Sequence, residues 1–266
     1  MDYQHLIYEV QDGVAVTTFN RPDKLNAFNA QTFEETGDVV ARVGRDPNVR
    51  VLIFTGAGRA FSAGADMDMF AGGQEAGALG GIGFFLSGHN VSFRLHDDIE
   101  NLTKPVIAAI NGVAVGDGIE LALSCDFRIL ASTAKVGFPE ANIGLIPASG
   151  GCSRLVKLFG MAKAKELIML GELMPAEEAM KHGLALRVVP PQELMPAALE
   201  LANKLKAKAP LSLGLAKRII SHCANTDLFS GRLYEGMGQT ILFNTADHEE
   251  GVQAFRDKRK PEFKGR

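Results

Sequence analysis

One stretch, residues 106–125, constrains the fold of this chain more than any other. It opens with the apolar run Val106–Ile110, and such an uninterrupted run predicts a strand that is buried on both faces. Gly116-Asp117-Gly118 then leads into a helical run over residues 119–125. A glycine-flanked turn that opens a buried helix presents free backbone N–H groups at the positive end of the helix dipole. Negative charge on a substrate oxygen is stabilised at such a place.

Glu120 lies one turn into this predicted helix, between apolar neighbours. A carboxylate is costly to bury in such surroundings, so its presence requires an explanation. Two explanations are open. Asp117 and Glu120 have the spacing of a capping box, in which the carboxylate bonds to the start of its own helix. Alternatively, Glu120 transfers a proton in a reaction.

The order of the other elements predicts the fold class. Strands Leu6–Gln11 and Val14–Phe19 flank Asp12-Gly13, which is a strong hairpin signal, and strands alternate with helices as far as residue 190. Most of the chain after that point is predicted to be helical, over residues 193–209, 210–224, 227–244 and 247–258. The pattern predicts an α/β core over residues 1–190 and a helical region over residues 191–266.

Net charge and cysteine content limit the partners and the compartment that are expected for this protein. The formal net charge of −3 argues against nucleic acid or an anionic membrane surface as the main partner. No apolar run approaches transmembrane length, and the opening residues MDYQHLIYEV lack the pattern of a signal peptide. Cys125, Cys152 and Cys223 are an odd number without metal-ligand spacing, which favours a reducing compartment. We therefore expect a cytoplasmic protein that binds neither nucleic acid nor membrane.

His96-Asp97-Asp98 combines residue types that bind metal ions. Consecutive residues point in different directions on a helix, so a solvated helix face is the favoured interpretation. No metal site is expected from this sequence.

A glycine-rich segment precedes the central stretch. Residues 72–88 carry seven glycines around Phe84-Phe85-Leu86. So much glycine predicts the most mobile internal segment of the chain. Two interpretations are open: a lid that places Phe84 or Phe85 against an apolar ligand, and a disordered loop.

Two sets of residues carry the chemistry. Gly116-Asp117-Gly118 and residues 61–66 are both small-residue turns that follow a strand, so each is able to offer one N–H to the same oxygen, as in an oxyanion hole. Glu120 and Glu140 are both flanked by apolar residues, which raises a carboxyl pKa toward neutral pH. Spacing alone does not place the two glutamates together, and Glu140 taken alone is more simply an exposed loop residue.

From end to end the chain resembles the crotonase family, the enoyl-CoA hydratase/isomerase superfamily. The separate patterns are modest, but their combination in this order is specific. They are Asn20-Arg21-Pro22, Leu25-Asn26-Ala27, residues 59–66, residues 104–112, residues 118–122, Cys125-Asp126, Pro139-Glu140, residues 144–147 and Gly150-Gly151.

The resemblance implies a spiral of ββα turns with a C-terminal helical trimerisation region, and an assembly as a trimer or a dimer of trimers. It implies oxyanion-hole N–H groups at Ala65 and Asp117, with Glu120 as the base toward water and Glu140 as the acid toward the α-carbon. The substrate is an acyl-CoA thioester, so coenzyme A enters with the substrate and no separate cofactor is expected. The substrate-binding residues that it implies are Lys24, Ala27, Ala63, Asp66, Met67, Phe84, Phe85, Gly116, Pro139 and Ala148.

Three positions depart from the family pattern. Asp117 stands where glycine is common, and its charge is expected to raise the pKa of Glu120. Asp68 stands where some relatives carry a lysine near the CoA phosphates, so Arg21, Lys24 or Lys258 are the alternative contacts. Ala148-Ser149 replaces a Gly-Ala pair, which gives a bulkier, hydroxyl-bearing lining.

Both family glutamates are present, so a hydratase that adds water across the α,β double bond is the favoured function. A double-bond isomerase that uses one glutamate remains an alternative, as does another acyl-CoA lyase or hydrolase of the same family. A non-catalytic acyl-CoA-binding protein is a third possibility.

Overall fold

The computed structural model describes residues 2–69 and 91–266. In these ranges the strands form two sheets. The larger sheet has the order β1-β2-β3-β5-β7-β10, and the smaller sheet has the order β4-β6-β8-β9. The strands are β1 (Leu6–Gln11), β2 (Val14–Phe19), β3 (Val51–Gly56), β4 (Ala60–Ser62), β5 (Val106–Ile110), β6 (Val113–Val115), β7 (Phe127–Ala131), β8 (Lys135–Gly137), β9 (Leu173–Pro175) and β10 (Arg187–Val189).

Helices in the described ranges connect the strands and then form the C-terminal region. They are α1 (Ala30–Arg45), α2 (Val91–Asn101), α3 (Asp117–Ser124), α4 (Gly151–Leu170), α5 (Ala176–Lys181), α6 (Leu194–Lys206), α7 (Pro210–Cys223), α8 (Leu228–Phe243) and α9 (Ala246–Arg256). Short 3₁₀ helices lie at Pro22–Lys24, Met67–Met69, Pro139–Ile143 and Pro191–Glu193. None of the helices in the described residues combines the length and the apolar composition that a membrane crossing requires.

The chain winds as a spiral between the two sheets. Strand β5 pairs in the larger sheet, β6 pairs in the smaller sheet, and α3 follows. The next turn repeats this order with β7, β8 and α4. The strand pairs are parallel except for β1 with β2 and β8 with β9. This arrangement confirms the predicted α/β class and the spiral of ββα turns.

Strand β5 is buried on both faces, as its sequence predicts. Val106, Ala108 and Ile110 belong to the main core, and all three are fully buried. Ile107 and Ala109 point to the opposite face and belong to a second apolar cluster, which includes four residues of α6: Leu194, Ala197, Ala198 and Ala202. The strand therefore shows no alternation of buried and exposed residues, because protein covers both of its faces.

Element bounds differ from the sequence predictions mainly at the short strands. The hairpin at Asp12-Gly13 is confirmed, with both residues in the left-handed region (φ 50° and 77°). The sequence does not predict strands β4, β6 and β9, which have three residues each, although it predicts the equally short β8 and β10. From its sequence, the segment before β9 is predicted to form two helices, over residues 149–159 and 162–170. The structure has one element there, α4, which is interrupted by non-helical Gly160.

The predicted division at residue 190 falls between β10 and the 3₁₀ helix Pro191–Glu193. Helix α6, which follows this point, packs on the larger sheet and covers one of its faces. Helices α7 and α8 pack on each other beyond it. The division into two regions remains a prediction.

Candidate active site

The two turns that are predicted to form the oxyanion hole, residues 61–66 and Gly116-Asp117-Gly118, are called here the first and second oxyanion turns. The first of them follows β4. Gly64 adopts a φ of 86°, and a parallel bridge joins Ala65 to Phe28. In this bridge the Phe28 N–H donates to the Gly64 carbonyl and the Asp66 N–H donates to the Phe28 carbonyl, both at 2.8 Å. A residue bridged in this way directs its own N–H to the other side. The Ala65 N–H therefore points away from Phe28.

The second oxyanion turn lies directly against the first. Gly116 (φ 54°) is the N-cap of α3, and Asp117 is the first residue of that helix, so its N–H has no acceptor within the helix. A Cβ atom added to Gly64 would lie 2.9 Å from the Val115 carbonyl oxygen and 3.4 Å from the Asp117 nitrogen. Only glycine permits this approach, and it brings the N–H groups of Ala65 and Asp117 into neighbouring positions.

Glu120 does not cap its own helix. Its side chain is 2% exposed, and its Oε1 accepts hydrogen bonds from the Ser149 N–H (2.8 Å) and the Gly151 N–H (2.7 Å). Gly151 is the first residue of α4, so the carboxylate lies at the positive end of a long helix. The capping-box interpretation is therefore wrong. Both of these hydrogen bonds reach Oε1, and neither reaches Oε2.

Glu140 is brought to the same place from the 3₁₀ helix Pro139–Ile143. A Cβ atom added to Gly116 would lie 3.5 Å from Oε1 of Glu140, so this carboxyl adjoins the second oxyanion turn. Both of its oxygens are buried without a hydrogen-bond partner in the described part of the chain. The interpretation of Glu140 as an exposed loop carboxylate is therefore wrong. Unpaired buried carboxyl oxygens are what a site needs to hold a water or a substrate proton.

Three carboxyls compete for ionisation in this site. Burial raises the pKa of Glu120 to about 8, with a further contribution from the charge of Asp117 and a smaller one from Glu140. Burial also raises the pKa of Glu140, and the Asp117 charge adds to it. The pKa of Asp117 is raised by its own burial, while a hydrogen bond with the Ser149 side chain lowers it. The expected effect of Asp117 on Glu120 thus has a structural basis.

The substrate-binding residues implied by the resemblance fall into two groups. Lys24 and Ala27 lie on the segment that is bonded to the first oxyanion turn, where the Ala63 N–H donates to the Leu25 carbonyl at 2.9 Å. That turn itself carries Ala63, Asp66 and the exposed Met67. The other group, Gly116, Pro139 and Ala148, flanks the two glutamates. Phe84, Phe85 and the predicted lid over residues 72–88 lie outside the described residues.

Of the two cationic residues near the first turn, one is largely buried and the other is exposed. Arg21 is largely buried and forms an ion pair with Asp66 at 3.0 Å. The pKa of Asp66 is held below its usual value, first by the Asp68 N–H and also by Arg21. Lys24 is exposed and lies 3.8 Å from the Asp68 carboxylate. Arg21 therefore stabilises the turn, whereas Lys24 has an ammonium group in reach of solvent.

The sequence does not identify His96 as a buried residue next to this site. A solvated face was expected, but the side chain is 0% exposed, and its Nδ1 lies 2.9 Å from the Ser149 carbonyl oxygen. Asp97 and Asp98 are exposed, and no cluster of metal-binding side chains is present in the described residues. The available signal is the apolar spacing of Leu95 and Ile99 on α2 and of Leu102 directly after it, because His96 adjoins that buried face.

The chain is similar to known proteins over nearly its whole length. The sequence profile described as "Enoyl-CoA hydratase/isomerase" matches residues 9–266. The chain is 41% identical to a short-chain-enoyl-CoA hydratase of Clostridium acetobutylicum, with 100% of both chains covered. It is 40% identical to a crotonyl-CoA hydratase of Syntrophomonas wolfei subsp. wolfei, with 99% of each covered.

A solved structure extends the agreement to three dimensions. The crystal structure of an enoyl-CoA hydratase from Bacillus anthracis superposes with a TM-score of 0.91 at 37% identity. The superposition covers 99% of this chain and 100% of that one. The match over nearly the whole sequence and the whole fold shows that this chain belongs to the enoyl-CoA hydratase/isomerase family.

Proposed function

We propose that this protein is an enoyl-CoA hydratase, a hydro-lyase that adds water across the α,β double bond of an acyl-CoA thioester. The observation that carries the proposal is the convergence of Glu120 and Glu140 beside two touching oxyanion turns. Two relatives at about 40% identity are named short-chain-enoyl-CoA hydratase and crotonyl-CoA hydratase.

The geometry supports a division of roles. The thioester carbonyl oxygen binds between the N–H groups of Ala65 and Asp117, where the α3 dipole also favours negative charge. Glu120 accepts a proton from water through Oε2, because Oε1 is bonded to the Ser149 and Gly151 N–H groups, and the water oxygen bonds to the β-carbon. The electron pair of the double bond moves toward the thioester as an enolate. Glu140 then donates a proton to the α-carbon, which restores the carbonyl group.

We infer that coenzyme A is used only as a part of the substrate, since the proposed steps require no group beyond these residues. Lys24 is the favoured contact for the CoA phosphates near the first turn, because its ammonium group is exposed. The three cysteines are free, which suits a cytoplasmic location.

The main alternative is a double-bond isomerase, in which one glutamate carries a proton between two carbons. The family includes both activities by its description. The presence of two carboxyls in one buried site favours hydration, because a 1,3-proton transfer needs only one of them.

The test is hydration of a panel of 2-enoyl-CoA thioesters in ¹⁸O-labelled water. We expect the conjugated absorbance to disappear and the label to appear in a 3-hydroxyacyl product. Glu120→Gln and Glu140→Gln should each keep the fold and acyl-CoA binding but reduce turnover on the order of 10²–10⁴-fold, because glutamine cannot transfer a proton at neutral pH.

The double variant should be little worse than either single variant, because residues that act as one unit are not additive. Migration of a double bond without uptake of label would replace hydration by isomerisation. If the protein binds enoyl-CoA but catalyses neither reaction, it is a non-catalytic acyl-CoA-binding protein.

A further inference from the structure

The backbone N–H and the backbone carbonyl of Ser149 are both hydrogen-bonded to side chains. Its N–H donates to Oε1 of Glu120 at 2.8 Å. Its carbonyl oxygen accepts from Nδ1 of His96 at 2.9 Å and from Nη1 of Arg154 at 3.0 Å. One residue therefore connects the proposed base to two side chains that lie behind it.

The His96 ring has one possible role in this contact. A carbonyl oxygen only accepts hydrogen bonds, so Nδ1 must carry the proton. The ring is fully buried, and burial lowers the pKa of His96 to about 4, so the imidazole is neutral at working pH. Its Nε2 has no hydrogen-bond partner in the described part of the chain. His96 is thus a fixed neutral donor to the Ser149 carbonyl.

The second donor is fixed by another part of α2. The Arg154 guanidinium bonds to Glu100 through Nε at 3.1 Å and Nη2 at 2.7 Å. Nη2 also lies 3.3 Å from the exposed Asp97 carboxylate. His96 and Glu100 lie one turn apart on α2, so this helix determines the position of the Ser149 carbonyl by two independent contacts.

We propose that His96 is a positioning residue for Glu120, which it orients through the backbone of Ser149. The inference rests on the proposed hydratase function, because it is Glu120 that must present Oε2 to water. Without the His96 bond, residues 147–151 lose one anchor, and the two N–H donors to Oε1 lose their fixed geometry.

Several charged groups share this environment. Asp117 on α3 and Glu140 on the 3₁₀ helix act on Glu120 by their charges, while Cys152 and Arg154 approach from α4. The Ser149 and Gly151 N–H groups favour the ionised form of Glu120 against these carboxylates and against burial. Loosening the Ser149 bond should therefore raise the pKa of Glu120.

The experiment compares His96→Phe with His96→Asn. Phenylalanine fills the space without a donor, whereas the asparagine side-chain amide places its N–H near the position of Nδ1. Ile99→Val is the matched control, because it removes one buried methyl group from the same helix and no hydrogen bond to Ser149. The pH profile of kcat/KM, kcat and KM are measured for enoyl-CoA hydration, with the melting temperature as a check on folding.

For His96→Phe we expect kcat to fall on the order of 10- to 100-fold with little change in KM, and the acid limb of the profile to move to higher pH. His96→Asn should retain most of the wild-type kcat, and its acid limb should lie at the wild-type pH. An effect of His96→Phe that matches Ile99→Val, or a limb that stays in place in every variant, would reduce His96 to a packing residue and overturn the proposal.

Amide hydrogen exchange in unliganded protein gives a readout that needs no activity. Exchange in residues 147–151 should be faster in His96→Phe than in His96→Asn or Ile99→Val. If wild type proves inactive with every enoyl-CoA thioester, the hydratase function fails while this comparison still decides the role of His96. Equal exchange in all three variants would contradict it.

Discussion

Asp117 has two opposing effects at the scale of a single residue. Its N–H lies in the proposed oxyanion hole, yet its side chain places a third carboxyl beside Glu120 and Glu140. One of its oxygens, Oδ1, is buried without a partner in the described residues. Three buried carboxyls cannot all ionise readily, so Asp117 influences the pH range in which the glutamate pair has one proton.

We expect Asp117→Asn to move both limbs of the pH profile of kcat/KM for hydration to lower pH. The sign follows from charge: the negative Asp117 raises the pKa of Glu120 and that of Glu140, so its removal lowers both. Glu120 acts ionised and defines the acid limb, whereas Glu140 acts protonated and defines the alkaline limb. Asparagine keeps the backbone N–H.

Asp98→Asn, the same change at an exposed position on α2, is the control and should leave the profile unchanged. Superimposable profiles for wild type and Asp117→Asn would mean that Asp117 holds no charge in the active enzyme.

At the scale of the element, the C-terminal helices are attached to the core by a buried ion pair. Lys217 on α7 is 2.9 Å from the Asp126 carboxylate, which precedes β7 and also accepts from the Val106 N–H at 2.7 Å. The Lys217 ammonium donates as well to the carbonyl oxygens of Ile99 and Lys104. One side chain therefore connects α7 to α2 and to the segments that precede β5 and β7.

Lys217→Met should destabilise the protein by about 3–5 kcal/mol, because it leaves Asp126 buried without its cation. The loss should be larger at neutral pH than at low pH, since protonation of Asp126 removes the unpaired charge. Adding Asp126→Asn to this variant should recover part of the loss. Urea unfolding at fixed protein concentration measures these differences.

Lys165→Met, at an exposed position of α4, is expected to change stability by no more than about 0.5 kcal/mol. A similarly small effect of Lys217→Met would show that water replaces the lost cation.

At the scale of the whole molecule, the C-terminal helices leave large apolar side chains uncovered. Leu228 and Phe229 are 80% and 83% exposed, and Phe255 is 86% exposed. Helix α8 also presents Leu233, Met237 and Ile241 to solvent in the single chain. Exposed apolar side chains in this number indicate an interface between protein chains.

The number of subunits follows from the family resemblance: we predict a trimer or a dimer of trimers, with a mass by light scattering of three or six times 28.5 kDa. Leu233→Glu combined with Met237→Glu should reduce the mass while helical content is retained, because charges at an apolar interface are costly to bury. Exposed Glu235→Gln on the same helix is the control. A monomer whose mass does not change with concentration would contradict the prediction.

The sequence by itself determined the local features of this protein. The hairpin at Asp12-Gly13, the strand Val106–Ile110 and the extent of most helices depend on neighbouring residues, through backbone preference and apolar periodicity. The motif order also identified the family, and with it the residues to compare.

Only the tertiary structure decided how these features combine. Glu120 bonds to N–H groups 29 and 31 residues away, and Glu140 reaches Gly116 because α3 and the 3₁₀ helix Pro139–Ile143 follow successive turns of the spiral. The contact between the Gly64 and Gly116 turns results from the parallel pairing of β4 with β6. The burial of His96 likewise depends on what packs against α2. Desolvation, which contributes most to the raised pKa of Glu120, is a property of everything that surrounds the group, and local sequence does not contain it.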